Sequence, residues 1–269
     1  MVDNVETLVM RLTGFKCVWA LLALGIVWSN GSAIAAYYNR QSYPGQGRAG
    51  VVGSGTLSMS NSTSTVYAGF NKGTGSFTDN LVMFIDSVPG GYTTTSVFSD
   101  HANPQETAIS GYSVSRSIAN FAPGFGADYA IVVGVNNGAA IYQLVNDGTG
   151  PHVQLIRTIT LGPPGDPNAP QFYWQFDWTD IGLPRGNTNF FKFETSLISM
   201  NGYRFLQSFE GLTGAEGYNT ITFTNYDTYG VQPIPENTTA ALGVFGAVAA
   251  IASVVARFRK RRPKRAKVS

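Results

Sequence analysis

Disulfide and thiolate chemistry are missing from nearly all of this chain, whose single cysteine, Cys17, heads an apolar N-terminal run. A body without cysteine needs no disulfide framework and cannot build a thiolate zinc site. Histidine is almost as scarce: only His101 and His152 are present, so any Ser-His-Asp system has to use one of them. No G-x-S-x-G elbow, no H-E-x-x-H helix and no Asp-x-Asp-x-Asp-Gly calcium loop occurs. Long 3.6-residue periodicity is lacking between the two ends, and no fixed-period repeat is present.

Charge is sparse and unevenly placed. The whole chain is +2 with a pI near 8.6. Residues 257–269 hold eight of the 18 basic residues and no acid, and residues 1–36 hold two of each sign. Residues 37–256 therefore keep eight basic and 14 acidic residues, a net of −6. The body is acidic, which sets nucleic acid aside as a partner.

The most informative stretch is the C-terminal one. Pro233-Ile-Pro-Glu-Asn237 precedes Ala240–Ala256, seventeen residues without a charge, and Arg257-Phe-Arg-Lys-Arg-Arg262 follows at once. As a helix the run is roughly 26 Å long, just short of the ~30 Å hydrocarbon core. A snorkelling Arg257 and an indrawn Thr238-Thr239 let it span. The cluster Arg257, Arg259, Lys260, Arg261 and Arg262 fixes the basic end on the cytoplasmic side. Seven strongly apolar residues contribute only about 2–4 kcal/mol to insertion, so the anchor is marginal. A plain single-pass anchor and a temporary sorting handle are both compatible with this pattern.

The N-terminal end points to export. Cys17–Trp28 is an apolar run of twelve, too short to span and suited to a signal-peptide core. Ala33-Ile-Ala35 supplies small residues at the cleavage positions, which places the mature start at Ala36. Met1 and Met10 both stand as starts, and Met10–Lys16 makes the better basic leader. The expected organisation is a signal peptide over 1–35 and a body over 36–230. A proline-rich stalk over 231–239, a transmembrane helix over 240–256 and a basic cytoplasmic tail over 257–269 complete it.

The ordered trio of motif, apolar helix and arginine-rich cluster resembles the PEP-CTERM sorting tail of bacterial surface proteins. Pro235 and Glu236 match the first two positions of the Pro-Glu-Pro motif, and Asn237 stands where the second proline is expected. The resemblance implies an exosortase-like sorting enzyme and signal peptidase as processing partners. It also implies delivery to the cell surface or the extracellular exopolysaccharide matrix, with the membrane as a temporary station.

Within the body, short period-two runs bounded by turn residues read as strands. Leu81–Ile85 is apolar throughout, as a strand buried on both faces would be. Tyr129–Val135 and Ala139–Val145 flank Asn136-Asn137-Gly138, a tight hairpin signal. Asn146-Asp147-Gly148 turns into Val153–Thr160. Phe172–Trp178 alternates, with Phe172, Trp174, Phe176 and Trp178 on one face. With Ala49–Met59, Val66–Phe70, Asn189–Leu197 and Thr220–Tyr226, about nine strands are expected. The expected class is all-β, a β-sandwich. The loop Gly162–Pro170 should cross between its sheets.

Val82–Gly91, Phe125–Ala130 and Phe176-Asp-Trp-Thr-Asp-Ile-Gly-Leu183 resemble the bodies of PEP-CTERM surface proteins of unassigned function. The strand-then-Asp and Asp-Trp-x-x-Ile-Gly features are also similar to sugar-binding sandwiches of the DOMON type, which implies a jelly-roll or DOMON-like ectodomain.

Asp86, Asp100 and Asp128 fall at strand ends and are the acids that could hold Ca²⁺ through converging carboxylates and loop carbonyls. The competing reading is that each caps a turn through its own backbone. His101 reads as a solvated loop histidine in Ser99–Asn103. The Phe172–Trp178 aromatics read as core rather than sugar platform, and Tyr92, Tyr112 and Tyr203 as loop aromatics available for contact. Asn61-Ser-Thr63 and Asn237-Thr-Thr239 match the glycosylation sequon. The expectation is a non-enzymatic structural or interaction protein without a cofactor. The alternative is a Ca²⁺-assisted polysaccharide-binding module, and the third reading is a glycoside hydrolase with paired carboxylates.

Overall fold

The structure, a computed structural model, describes residues 38–145, 150–186 and 190–230. The expected signal peptide with Ala33, Ala35 and Ala36 lies outside the described residues. So do the turn at 146–148, the motif Pro235-Glu236-Asn237, the apolar run and the basic cluster. Among the described residues, no helix is long and apolar enough to cross a membrane.

Strands β1 (Tyr38–Pro44), β2 (Gln46–Gly47), β3 (Thr56–Asn61), β4 (Thr65–Asn71) and β5 (Asn80–Asp86) lead to one short helix, α1 (Pro104–Ser110). Then come β6 (Ile118–Asn120), β7 (Tyr129–Gly134), β8 (Gly138–Leu144), β9 (Val153–Ile159) and β10 (Gln171–Asp177). A 3-10 turn over Trp178–Ile181 precedes β11 (Phe190–Ile198) and β12 (Gln207–Ser208). The last described strands are β13 (Leu212–Gly214), β14 (Thr220–Phe223) and β15 (Asp227–Gly230).

They form a four-stranded sheet in the order β1-β3-β4-β10 and a six-stranded sheet in the order β15-β11-β5-β7-β8-β9. A three-stranded sheet, β13-β14-β6, and the pair β12-β2 are smaller. Every pair is antiparallel except β14 with β6. The fold is all-β and sandwich-like. The Gly162–Pro170 loop does cross between sheets, since β9 ends the six-stranded sheet and β10 the four-stranded one.

Strand alternation explains where the core sits. In β10 the buried residues are Phe172, Trp174 and Phe176, with Gln171, Tyr173 and Gln175 exposed between them. In β5 every residue from Asn80 to Ile85 is buried. Leu81, Met83 and Ile85 point to the core shared with the four-stranded sheet, while Val82 and Phe84 point to a second core on the opposite face. A six-stranded sheet covered on both sides needs this continuous apolar run. The hairpin between β7 and β8 is also as expected, with Gly138 at φ 74 closing a turn after Asn136 and Asn137.

Three expectations are corrected. Residues 49–59 are not one strand: 51–54 turn, and only the part from Thr56 pairs. A Cβ on Gly53 would lie 1.8 Å from the Arg48 carbonyl oxygen, so the chain doubles back on itself where only glycine fits. The strand expected over 220–226 stops at Phe223. The described residues hold fifteen strands rather than about nine: β1 was missed, and the other additions are pairings of two to four residues, too short to show a period. Helix α1 was not expected, although its start signal is present in the sequence. Asn103 accepts from the Gln105 and Glu106 amides, Pro104 stands at the first turn, and Gly111 closes the end at φ 66.

Candidate functional site

Of the three sequence-selected aspartates, Asp86 and Asp128 put their carboxylates on backbone amides and lie within electrostatic reach of each other, while Asp100 stands apart. Asp128 Oδ2 accepts the Ser87 and Val88 amides, each at 3.0 Å. Asp86 Oδ2 accepts the Gly126 amide at 3.2 Å and pairs with Lys192 Nζ at 2.9 Å. Burial raises the Asp128 carboxyl above its ordinary range, against the lowering effect of its two backbone hydrogen bonds. Asp100 accepts the Ser110 hydroxyl on its backbone carbonyl, and its Oδ2 has no hydrogen-bond partner. Among the described residues, no three His, Cys, Asp or Glu side chains gather into a group able to hold a metal. Asp86 Oδ2 already has a cation against it in Lys192.

The two histidines sit in different settings. His101 is exposed, with Nδ1 against the Ser99 carbonyl at 2.6 Å and its ring 5.0 Å from Tyr112. His152 Nδ1 lies 3.1 Å from the Tyr92 hydroxyl. Among the described residues, neither imidazole hydrogen-bonds a serine hydroxyl or a carboxylate.

Two acids that sequence reading missed are fully enclosed. Glu194 accepts the Ala122 amide at 2.9 Å, and burial pushes its carboxyl up to about 8. Glu210 accepts the Thr195 amide and hydroxyl, both at 2.8 Å, and burial raises it well above its ordinary value. Strand β15 pairs with β11 only over Phe190–Phe193, so the Glu210 carboxylate takes up the next edge amide of β11. Arg204 is equally buried, and desolvation lowers it to about 9. Its Nη2 meets the Ile109 carbonyl at the end of α1, where the helix dipole favours a cation. These groups hold elements together and do not face an opening.

The aromatics divide as their alternation requires. Phe172, Trp174, Phe176 and Trp178 are core, with Trp178 stacked 6.2 Å from Tyr229. Tyr92 is corrected: it is 8 % exposed, packs edge-on to Phe98 at 4.7 Å, and donates its hydroxyl to the Val145 carbonyl. Tyr112 and Tyr203 are half-buried. The first stacks under Arg116, and the second leans on Phe205 and Tyr218. Asn61 is also unavailable to modification, being buried with its amide bonded to Tyr229 and Ser62.

One pocket of about 360 Å³ opens at the flank where β9 and β10 meet. Tyr67, Tyr173 and Gln175 belong to the outward phase of β4 and β10, and Arg157 and Thr160 approach from the other sheet. Ala68 and Trp174 pair across the same two strands with their side chains in the core, so they line it through backbone. Arg157 is held in place by Asp180, with Nε 3.1 Å from both oxygens and Nη2 2.6 Å from Oδ2. That hydrogen bond to Asp180 is the main reason the guanidinium is raised above its ordinary value. Asp180 is itself aimed by the Asp177 amide at 2.8 Å, inside the Asp-Trp-Thr-Asp-Ile-Gly stretch singled out from sequence. The signal for Tyr173 and Gln175 was present as the polar half of the Phe172–Trp178 alternation. Arg157, from a distant strand, carried none.

The chain matches no protein-family model and no curated protein sequence.

Proposed function

We propose that this chain is an exported, non-enzymatic protein of the bacterial cell surface or exopolysaccharide matrix, delivered by a PEP-CTERM-like tail. The observation that carries the reading is the ordered tail: Pro235-Glu236, the uncharged Ala240–Ala256 run, and the basic cluster from Arg257 to Arg262. Signal peptidase and an exosortase-like enzyme are its processing partners, and the membrane holds it before release. The body's features are compatible with life outside the cell, since residues 37–256 contain no cysteine to misoxidise and carry a net charge of −6. The DOMON-type likeness of residues 82–91 and 176–183, and with it the jelly-roll assignment of the sandwich, belongs to the same proposal.

The test separates sorting from plain anchoring. Glu236→Ala leaves insertion unchanged, because one outer carboxylate contributes little to topology. If the tail is a sorting signal, the variant stays uncut in the membrane fraction while the parent is released. Parent and variant both remaining full-length and membrane-bound would defeat the proposal and leave a permanently tethered protein.

A further inference from the structure

We propose that the β9–β10 pocket is a binding site for a neutral glycan chain, with one pyranose ring held against Tyr67 and Tyr173. It needs neither the tail nor a metal. A pyranose has two apolar C–H faces and a rim of hydroxyls. Its site must therefore offer flat apolar surface for the faces and fixed, planar polar groups for the rim. The pocket offers both. Tyr173 is 60 % exposed on the outer face of β10. Tyr67 stands on the neighbouring strand directly across from Gln175, two residues along from Tyr173. Residues on such a diagonal are about 7–8 Å apart, within reach of long aromatic side chains, so one ligand can touch both rings.

Two glycines keep the place open. Across from Tyr173 stands Gly69, which puts no side chain on the face. The Tyr173 ring instead leans over Gly162, where an added Cβ would lie 2.2 Å from a ring carbon. Gly162 therefore sets the ring's position and is a positioning residue for the site.

The charge balance names the ligand class. Arg157 already has its carboxylate partner, Asp180. With Arg157 matched by Asp180, the lining presents its guanidinium as one half of a neutral pair, joined by the Gln175 amide and the Thr160 hydroxyl. An acidic glycan would meet a guanidinium already paired with Asp180, on an acidic body. A volume of about 360 Å³ lies at the small end of the range for small-molecule sites, and the pocket is open at the surface.

The test is affinity electrophoresis of the full chain in a zwitterionic detergent that has no sugar headgroup. The gels contain neutral glucan, mannan or galactan, or a polyuronate. At least one neutral glycan should retard the protein, and the polyuronate should not. Tyr173→Ala and Tyr67→Ala should each weaken that retardation at least tenfold. Gly162→Ala keeps every contacting side chain but displaces the Tyr173 ring, and it should weaken binding severalfold. Tyr218→Ala, on another surface, should leave it unchanged. Each variant's melting curve checks folding, and Gln175→Ala, an exposed change, replaces any variant that fails to fold. Absence of retardation across the neutral panel would overturn the proposal. So would retardation indifferent to Tyr67 and Tyr173, or a stronger response to the polyuronate.

Discussion

The six-stranded sheet is packed differently on its two faces. Toward the four-stranded sheet it meets interlocking rings: Phe70, Phe172, Phe176, Trp178, Phe191 and Phe193 are all fully buried there. Toward α1 and the three-stranded sheet it meets a mixed layer, in which Ala108, Ala119, Ala122 and Ala127 lie among rings that include Phe84, Tyr92, Phe98, Phe121, Phe125, Tyr142 and Phe223. Glu194 and Arg204 are enclosed beside that second core. The first face is held mainly by area and ring geometry, with Glu210 enclosed at its margin against the Thr195 amide and hydroxyl. The second relies on buried polar groups whose free energy depends on their protonation and on each hydrogen bond being made. One sheet thus carries a ring-dominated side with one enclosed acid, Glu210, and a side with both an enclosed acid and an enclosed cation, Glu194 and Arg204.

The comparison can be broken most severely at Trp178. It is fully buried, stacks on Tyr229 and meets Phe191 edge-on. Trp178→Ala should cost about 3–5 kcal/mol, the usual penalty for a large aromatic removed from a core. Denaturant unfolding should show that loss equally at pH 5 and pH 8. A loss that varies with pH would contradict the division between the faces.

Glu194 sharpens the comparison from the other side. Its folded carboxyl is raised from 4.5 to about 8, so the folded state holds a proton that the unfolded chain releases. Stability should therefore fall as pH rises through that window, by up to about 1.4 kcal/mol per pH unit for one group, and level off above it. Glu194→Gln should flatten the slope and raise stability at pH 8. Glu210 and Asp128 are raised in the same direction and leave a residual slope. A pH profile unchanged by Glu194→Gln would remove the second face's distinction.

The smallest effect belongs to the helix cap. Asn103→Ala removes the acceptor for the Gln105 and Glu106 amides and should cost about 1 kcal/mol. Hydrogen exchange should speed up over Pro104–Ser110 while the β10 amides stay protected. Equal acceleration in both would mean that the two layers open as one.

The same division marks what could be read from sequence. The sandwich side was legible because β5, β7, β8 and β10 are long enough to show a period, and Leu81–Ile85 announced a strand covered on both faces. The other side is built from strands of two to four residues, loops and one seven-residue helix, and such pieces take their conformation from tertiary contacts. Its one local signal, Asn103-Pro104 with Glu106, was masked by the turn-like polar residues before it. At the pocket, Tyr173 and Gln175 follow from strand alternation. Arg157 does not, because its meeting with Asp180 depends on how β9 lies beside β10. The buried Glu194, Glu210 and Arg204 were invisible for a related reason: a charged residue in a short polar stretch reads as exposed until its packing is known.

The account's central claim is export and tail-directed delivery, and intact mass of the protein recovered from the cell surface and medium tests it most directly. The account predicts a chain that begins at Ala36 and ends close to Glu236, without the 240–269 segment. A recovered chain that still carries residues 1–30, or that extends through Arg257 to Ser269, would contradict it.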